Sequence, residues 1–212
     1  MSLNEILFNI IALSANLYGL ITIHQIAPDM QYGGQYQFLT ILGLTASTLA
    51  MTFKLLRYLS SSLFHGPYIY LSNLATPVEG LISFLYWSMA LYDRELLVPK
   101  DTPFVLPFSL DLALHLWPTI FLYIDMFVFK PGFKASTLDV CSLFSFSVAY
   151  YFWVEHCFQK NKFYVYPFLA LFSDLHRFIY FMVCGGLCSI MYHLGAYAHN
   201  IYHGQIKKSK TV

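Results

Sequence analysis

Residues 107–129 read PFSLDLALHLWPTIFLYIDMFVF, and how this stretch accommodates its own polar residues decides the fold. It is long and apolar enough to cross a bilayer, for which about 20 mostly apolar residues suffice, yet it carries Asp111, His115 and Asp125. A charge at the bilayer centre costs about 2.5–3.5 kcal/mol on insertion scales, so ionisable groups in a span face protein or water and mark a functional interior. Helical periodicity puts all three on one broad face. The segment therefore predicts a membrane span bordering a polar interior, with His115 as the first candidate functional residue.

The rest of the chain agrees. Of 212 residues, 58% are hydrophobic, 19% aromatic and 11% charged, whereas an average soluble domain carries about 25% charged residues. Long apolar runs recur throughout, so the expectation is an all-α, polytopic integral membrane protein, a single bundle and domain of about six transmembrane helices in the lipid bilayer. The spans are drawn at 6–23, 36–56, 78–92, 107–129, 138–158 and 178–202. A net charge of +1 without a basic cluster before the C-terminus excludes nucleic acid as a partner. Cys141, Cys157, Cys184 and Cys188 lie in or at the edges of spans without zinc-type spacing and read as packing residues. No metal or organic cofactor is indicated. The N-terminus has no basic n-region or small-residue cleavage site, so the first apolar run is expected to stay as an anchor.

Between spans, HQIAPDMQYGGQ ends the first, and Lys54 and Arg57 end the second. The stretch SLFHGPYIYLSNLATP reads as the longest loop, laid on the membrane interface by its aromatics. The third span opens with Glu79, the alternative being an earlier start near Tyr70 with a kink at Pro77. Gly185 and Gly186 read as a close helix approach. Alternate loops hold seven Lys and Arg on the side of the termini and five on the other, which places both termini in the cytosol. The ending KSKTV, with Lys208 and Lys210, is similar to a dilysine retrieval signal of the endoplasmic reticulum.

A histidine in a span suits proton transfer, because its ordinary pKa near 6.5 lets it take and return a proton near neutrality. Hydroxyl partners abound in the second span as Thr40, Thr45, Ser47, Thr48 and Thr52. Thr45, Thr48 and Thr52 share a face and Thr40 points elsewhere, but periodicity does not choose among them. The plain alternative for each is a hydroxyl bonded to a carbonyl one turn back, and for His115 an interhelical hydrogen bond. Asp111, one turn before His115, has the spacing to orient the imidazole. Asp125 lies about 15 Å further along the axis, out of direct reach. No GxSxG, HExxH, GxGxxG or phosphate-loop motif occurs.

GGQYQFLTIL (residues 33–42), TPVEGLISFLYWSMALYDRELLVPK (76–100), the His115 span and VYPFL (165–169) together resemble the androgen-induced protein family, YDRELLVPK being the most specific of them. The resemblance covers most of the chain. It implies a multi-span threonine hydrolase of fatty acid esters of hydroxy fatty acids, with Thr40 as nucleophile and His115 as its base. Where the family pattern has an asparagine and a second histidine, this chain has Asp111 and Leu112, and Gln35 and Gln37 stand where it has basic residues. The expected partner is therefore a lipid ester. The sequence names no oxyanion donor and no oligomeric state. Two rival readings accompany this one: a proton-coupled transporter or channel relaying through Asp111, His115, Asp125 and Glu155, and a non-catalytic membrane regulatory protein.

Overall fold

A computed structural model describes residues 2–26, 31–97, 106–130 and 133–209, with side chains through residue 204. Every regular element among them is helical. The elements are α1 (Leu3–Ile26), α2 (Leu39–Leu56), α3 (Ser61–Tyr92), α4 (Phe108–His115), α5 (Trp117–Ile124), α6 (Thr137–Asn161) and α7 (Asp174–Ser209). Short 3-10 turns cover Gly34–Gln37, Arg94–Leu96 and Pro167–Leu171, and a π turn covers Asp125–Phe129. Helices α1, α2, α3, α6 and α7 are each long and apolar enough to cross a membrane, and α4 with α5 passes as one span bent by 41°. Lys208 and Lys210 of the expected retrieval signal lie outside the residues whose side chains are described.

The bend has a local cause. Pro118, second in α5, supplies no amide to the Leu114 carbonyl one turn back, and Leu116 takes an extended φ of −133° between the two helices. His115 is therefore the last residue of α4, at the break.

The expected interface loop at 62–77 is instead helix, because α3 starts at Ser61 and runs through Pro67 and Pro77. Its polar residues look like loop composition but turn inward. Lys130 donates to Ser72 Oγ at 2.6 Å and to Asn73, the Asn73 amide donates to Asp139 at 2.7 Å, and Thr76 donates to the Ser72 carbonyl. Once those groups are satisfied, burial of Ala75, Val78 and Leu81 carries the helix past the missing amide of Pro77. Glu79, expected at a span start, is consequently deep inside α3 and fully buried.

Glycines set the closest approaches. A Cβ on Gly43 of α2 would stand 2.6 Å from Ile82 Cδ1 of α3, and one on Gly185 of α7 would stand 3.1 Å from Ser147 Cβ of α6. Gly186 faces open space, so only one of the two glycines expected to pack does so.

The two ends of the bundle differ. At the end holding the α2–α3 connection, Lys54 of α2 pairs with Asp125, whose other oxygen accepts from Tyr68 at 2.7 Å. Tyr192 of α7 joins Asn73 on Asp139, and His199 and His203 satisfy the Lys130 and Phe127 carbonyls around the π turn. The opposite end, where α2 begins and α3 and α6 finish, carries the candidate site.

Candidate functional site

The site is assembled around the entry into α2. Gly33 holds φ +85°, and a Cβ there would meet Gln37 Cγ at 2.8 Å and Cys157 Sγ at 3.0 Å, so the turn takes glycine for both conformation and space. The 3-10 turn that follows is fastened to α6. The Asn161 amide donates to the Tyr32 carbonyl at 2.9 Å and to Gln37 Oε1 at 3.0 Å, the Trp153 indole donates to the Tyr36 carbonyl at 2.9 Å, and the Tyr150 hydroxyl donates to the Gln37 carbonyl at 2.8 Å. Phe38 is then extended, and α2 starts at Leu39.

This entry separates the five hydroxyls that periodicity leaves equal. Thr45, Thr48 and Thr52 each donate to the carbonyl four residues back, at 2.7, 2.6 and 2.8 Å. Ser47 accepts from the Asn16 amide at 2.9 Å. Thr40 is second in the helix, so the carbonyls three and four residues back belong to Gln37 and Tyr36 of the preceding turn, where Tyr150 and Trp153 already occupy them. Its side chain instead lines a cavity of about 90 Å³ with the Tyr166 hydroxyl as its neighbour. The bland role that accounts for the other threonines does not account for Thr40.

The cavity lies among α3, α6 and α7 and is capped by the turn at Pro167–Leu171. Its wall is overwhelmingly apolar, with Val78, Ile82, Leu85, Leu143 and Phe181 among its residues, and its few polar groups include Thr40, Tyr86 and Tyr166. An apolar chamber with a small convergent set of hydroxyls suits an acyl chain bearing one reactive polar group. Cys184 and Cys188 also line it, and all four cysteines are free.

His115 is buried and forms a compact unit with Asp111 and Tyr86. Its Nδ1 donates to Asp111 Oδ1 at 2.8 Å, so the proton sits on Nδ1 and Nε2 carries the free lone pair. The Tyr86 hydroxyl also bonds the Asp111 carboxylate, and the Tyr86 ring lies face to face on the imidazole, 3.4 Å apart and 4° from parallel. Stacking covers one ring face, and Nε2 is the ring nitrogen not bonded to Asp111. Among the described residues no hydrogen bond joins His115 to Thr40; the cavity wall contains Thr40 and Tyr86, and His115 stands behind Tyr86. Asp125 belongs to the opposite end, paired with Lys54. Glu155 is held by Arg177 Nε at 2.7 Å and by the Tyr164 hydroxyl.

Sequence reasoning misses Tyr86, Tyr150 and Tyr166. The chain has 17 tyrosines, and nothing in their spacing distinguishes a cavity hydroxyl from an interface aromatic. Among the described residues no group of three or more His, Cys, Asp or Glu could hold a metal ion.

The family model described as FAR-17a/AIG1-like protein matches residues 4–200. A UPF0641 membrane protein of Schizosaccharomyces pombe is 39% identical over 163 residues, 74% of this chain and 72% of its own. The human androgen-induced gene 1 protein is 27% identical over 185 residues, covering 80% of this chain and 78% of its own. The androgen-dependent TFPI-regulating protein of Mesocricetus auratus is 27% identical over 124 residues, 58% of this chain and 54% of its own. No solved structure matches.

Proposed function

The chain belongs to the FAR-17a/AIG1-like family, and we propose that it is a membrane-embedded hydrolase of lipid esters, in particular fatty acid esters of hydroxy fatty acids, acting through Thr40 and His115. The observation that carries this reading is the position of Thr40: a buried threonine hydroxyl excused from the back-bonding that occupies its neighbours and facing an apolar cavity. The excess of Lys and Arg in the loops on the side of the termini supports cytosolic termini.

In the proposed reaction the acyl chain enters the cavity and its carbonyl carbon meets Thr40 Oγ1. A threonine hydroxyl is a weak nucleophile unless a base takes its proton as the bond forms. His115 presents Nε2 for this, and Asp111 holds the tautomer and stabilises the imidazolium. Collapse breaks the ester C–O bond, and the imidazolium returns its proton to the departing alkoxide. Water, deprotonated by the same imidazole, then hydrolyses the acyl-threonine.

The test is labelling of the folded protein by a fluorophosphonate probe. Wild type and Thr45→Ala label, and Thr40→Ala and His115→Ala do not. Undiminished labelling of Thr40→Ala rejects the nucleophile.

A further inference from the structure

Acyl transfer to a threonine pushes the carbonyl π electrons onto oxygen, and a donor aimed at that oxygen is required to stabilise it. Resting on the proposed hydrolytic reading, we infer that the Tyr166 hydroxyl is this donor, a catalytic residue that hydrogen-bonds the oxyanion formed on Thr40.

Three observations point to it. Tyr166 lies in the segment between α6 and α7, and its side chain lines the same cavity as Thr40. Its hydroxyl is hydrogen-bonding neighbour to Thr40 and to Tyr150. Its oxygen accepts the Leu39 amide, the first amide of α2, at 3.0 Å. The Leu39 bond uses a lone pair of the phenol oxygen and not its proton, so the O–H remains a donor that can turn toward a carbonyl oxygen bound beside Thr40. An O–H whose oxygen already accepts a bond is polarised into a stronger donor. Burial holds the phenol above the usual tyrosine range, so at neutral pH the proton is present.

Tyr150 lies in the same layer but spends its own proton on the Gln37 carbonyl. Tyr86 spends its proton on Asp111. Tyr166 is thus the cavity hydroxyl beside Thr40 with a proton to offer. In the step itself no proton leaves Tyr166: the Thr40 proton passes to His115, the new C–O bond forms, the π pair settles on the carbonyl oxygen, and the Tyr166 O–H bonds that oxygen until the pair returns and expels the alkoxide.

The experiment uses the full chain in lipid nanodiscs, hydrolysing p-nitrophenyl laurate, with a lauryl trifluoromethyl ketone as transition-state analogue. Tyr166→Phe is expected to lower kcat by about 10²–10³-fold with KM nearly unchanged, and to weaken the ketone by a similar factor. Tyr70→Phe, which loses a hydroxyl bonded to Ser142 on an exposed face away from the cavity, is expected to stay within a few-fold of wild type in both. A second variant, 3-fluorotyrosine at position 166, keeps the shape and the Leu39 bond while making the phenol a stronger donor, and is expected to bind the ketone more tightly. Wild-type kcat in Tyr166→Phe with Thr40→Ala inactive overturns the oxyanion role and leaves the nucleophile standing. A fall in kcat with unchanged ketone affinity also overturns it, because a merely misplaced Thr40 gives that pattern, as does a fluorotyrosine protein with wild-type affinity. Full activity in Thr40→Ala overturns both assignments.

Discussion

Replacing Asp125 by asparagine is expected to destabilise the protein and to leave the chemistry of its folded fraction intact. Asp125 and its partner Lys54 have side-chain exposures of 1% and 0%, and the Tyr68 hydroxyl bonds the second carboxylate oxygen at 2.7 Å. The substitution removes the counter-charge and leaves the Lys54 ammonium facing Glu5 alone, 3.5 Å away. Breaking one side of a buried pair typically costs about 3–5 kcal/mol; the remaining Glu5 contact argues for the lower end, about 3 kcal/mol. The double variant Lys54→Met, Asp125→Leu removes both charges, and paired apolar replacement is often neutral. It is expected within about 1 kcal/mol of wild type, the residue being the lost acceptor of Tyr68. Unfolding in mixed micelles measures the stabilities, and ester turnover per folded molecule measures the function. Lys54 lies 14 residues from Thr40 along α2, about 21 Å, so turnover per folded molecule should match wild type in all variants. An Asp125→Asn protein with wild-type stability would refute the structural role of the pair. If its function were also lost, Asp125 would be a working proton site, which is the premise of the transporter reading.

Two further substitutions probe the site's support. Gly33→Ala puts a residue at φ +85° and a Cβ 2.8 Å from Gln37 Cγ; it is expected to cost at least about 1–2 kcal/mol from the left-handed backbone alone and to abolish fluorophosphonate labelling. Gly34→Ala, at φ +52° with open space around it, is expected to label normally, and equal behaviour of the two would refute the role given to Gly33. Asp111→Asn removes the carboxylate that fixes the His115 tautomer and is expected to lower kcat by about 10²-fold with little change in KM; unchanged turnover would mean the pair is only structural.

How far the sequence could be read depended on what each feature needs. Apolar length sufficed for the helices and for the span at 107–129, whose break at Leu116 Pro118 explains. It failed at 62–77, where serine, asparagine, threonine and proline look like loop until Lys130 of a distant segment satisfies them. No periodicity in one helix reveals a partner 57 residues away. In the sequence Thr40 stands apart only by family resemblance; in the fold it stands apart because Tyr150 and Trp153 of α6 occupy the two carbonyls a threonine at the second helical position would otherwise use. The tyrosines failed differently. Their hydroxyls acquire meaning only from what they bond, and that is a property of the packed bundle.

The contrast between the ends of the bundle bears on the reaction. The α2–α3 end is fastened by charged groups, Lys54 with Asp125 and Lys130 near Asp139, whereas Thr40 is surrounded by neutral donors and acceptors: the Leu39 amide and the hydroxyls of Tyr150 and Tyr166. In a low-dielectric chamber a fixed cation beside Thr40 would attract the oxyanion strongly, but it would attract the carboxylate product as strongly and hold it there. A neutral hydroxyl stabilises the oxyanion through a directed hydrogen bond and offers the departing acid no counter-ion. Under the proposed reaction, placing the Lys54–Asp125 pair about 20 Å away, and committing Arg177 at the near end to Glu155 and Asp174, secures the helices without trapping a fatty acid in the site. Introducing a cation, as in Leu39→Lys, is accordingly expected to slow steady-state turnover by product retention while leaving the first acylation fast. A pre-steady-state burst larger than that of wild type is the observation that would distinguish this from simple loss of the site.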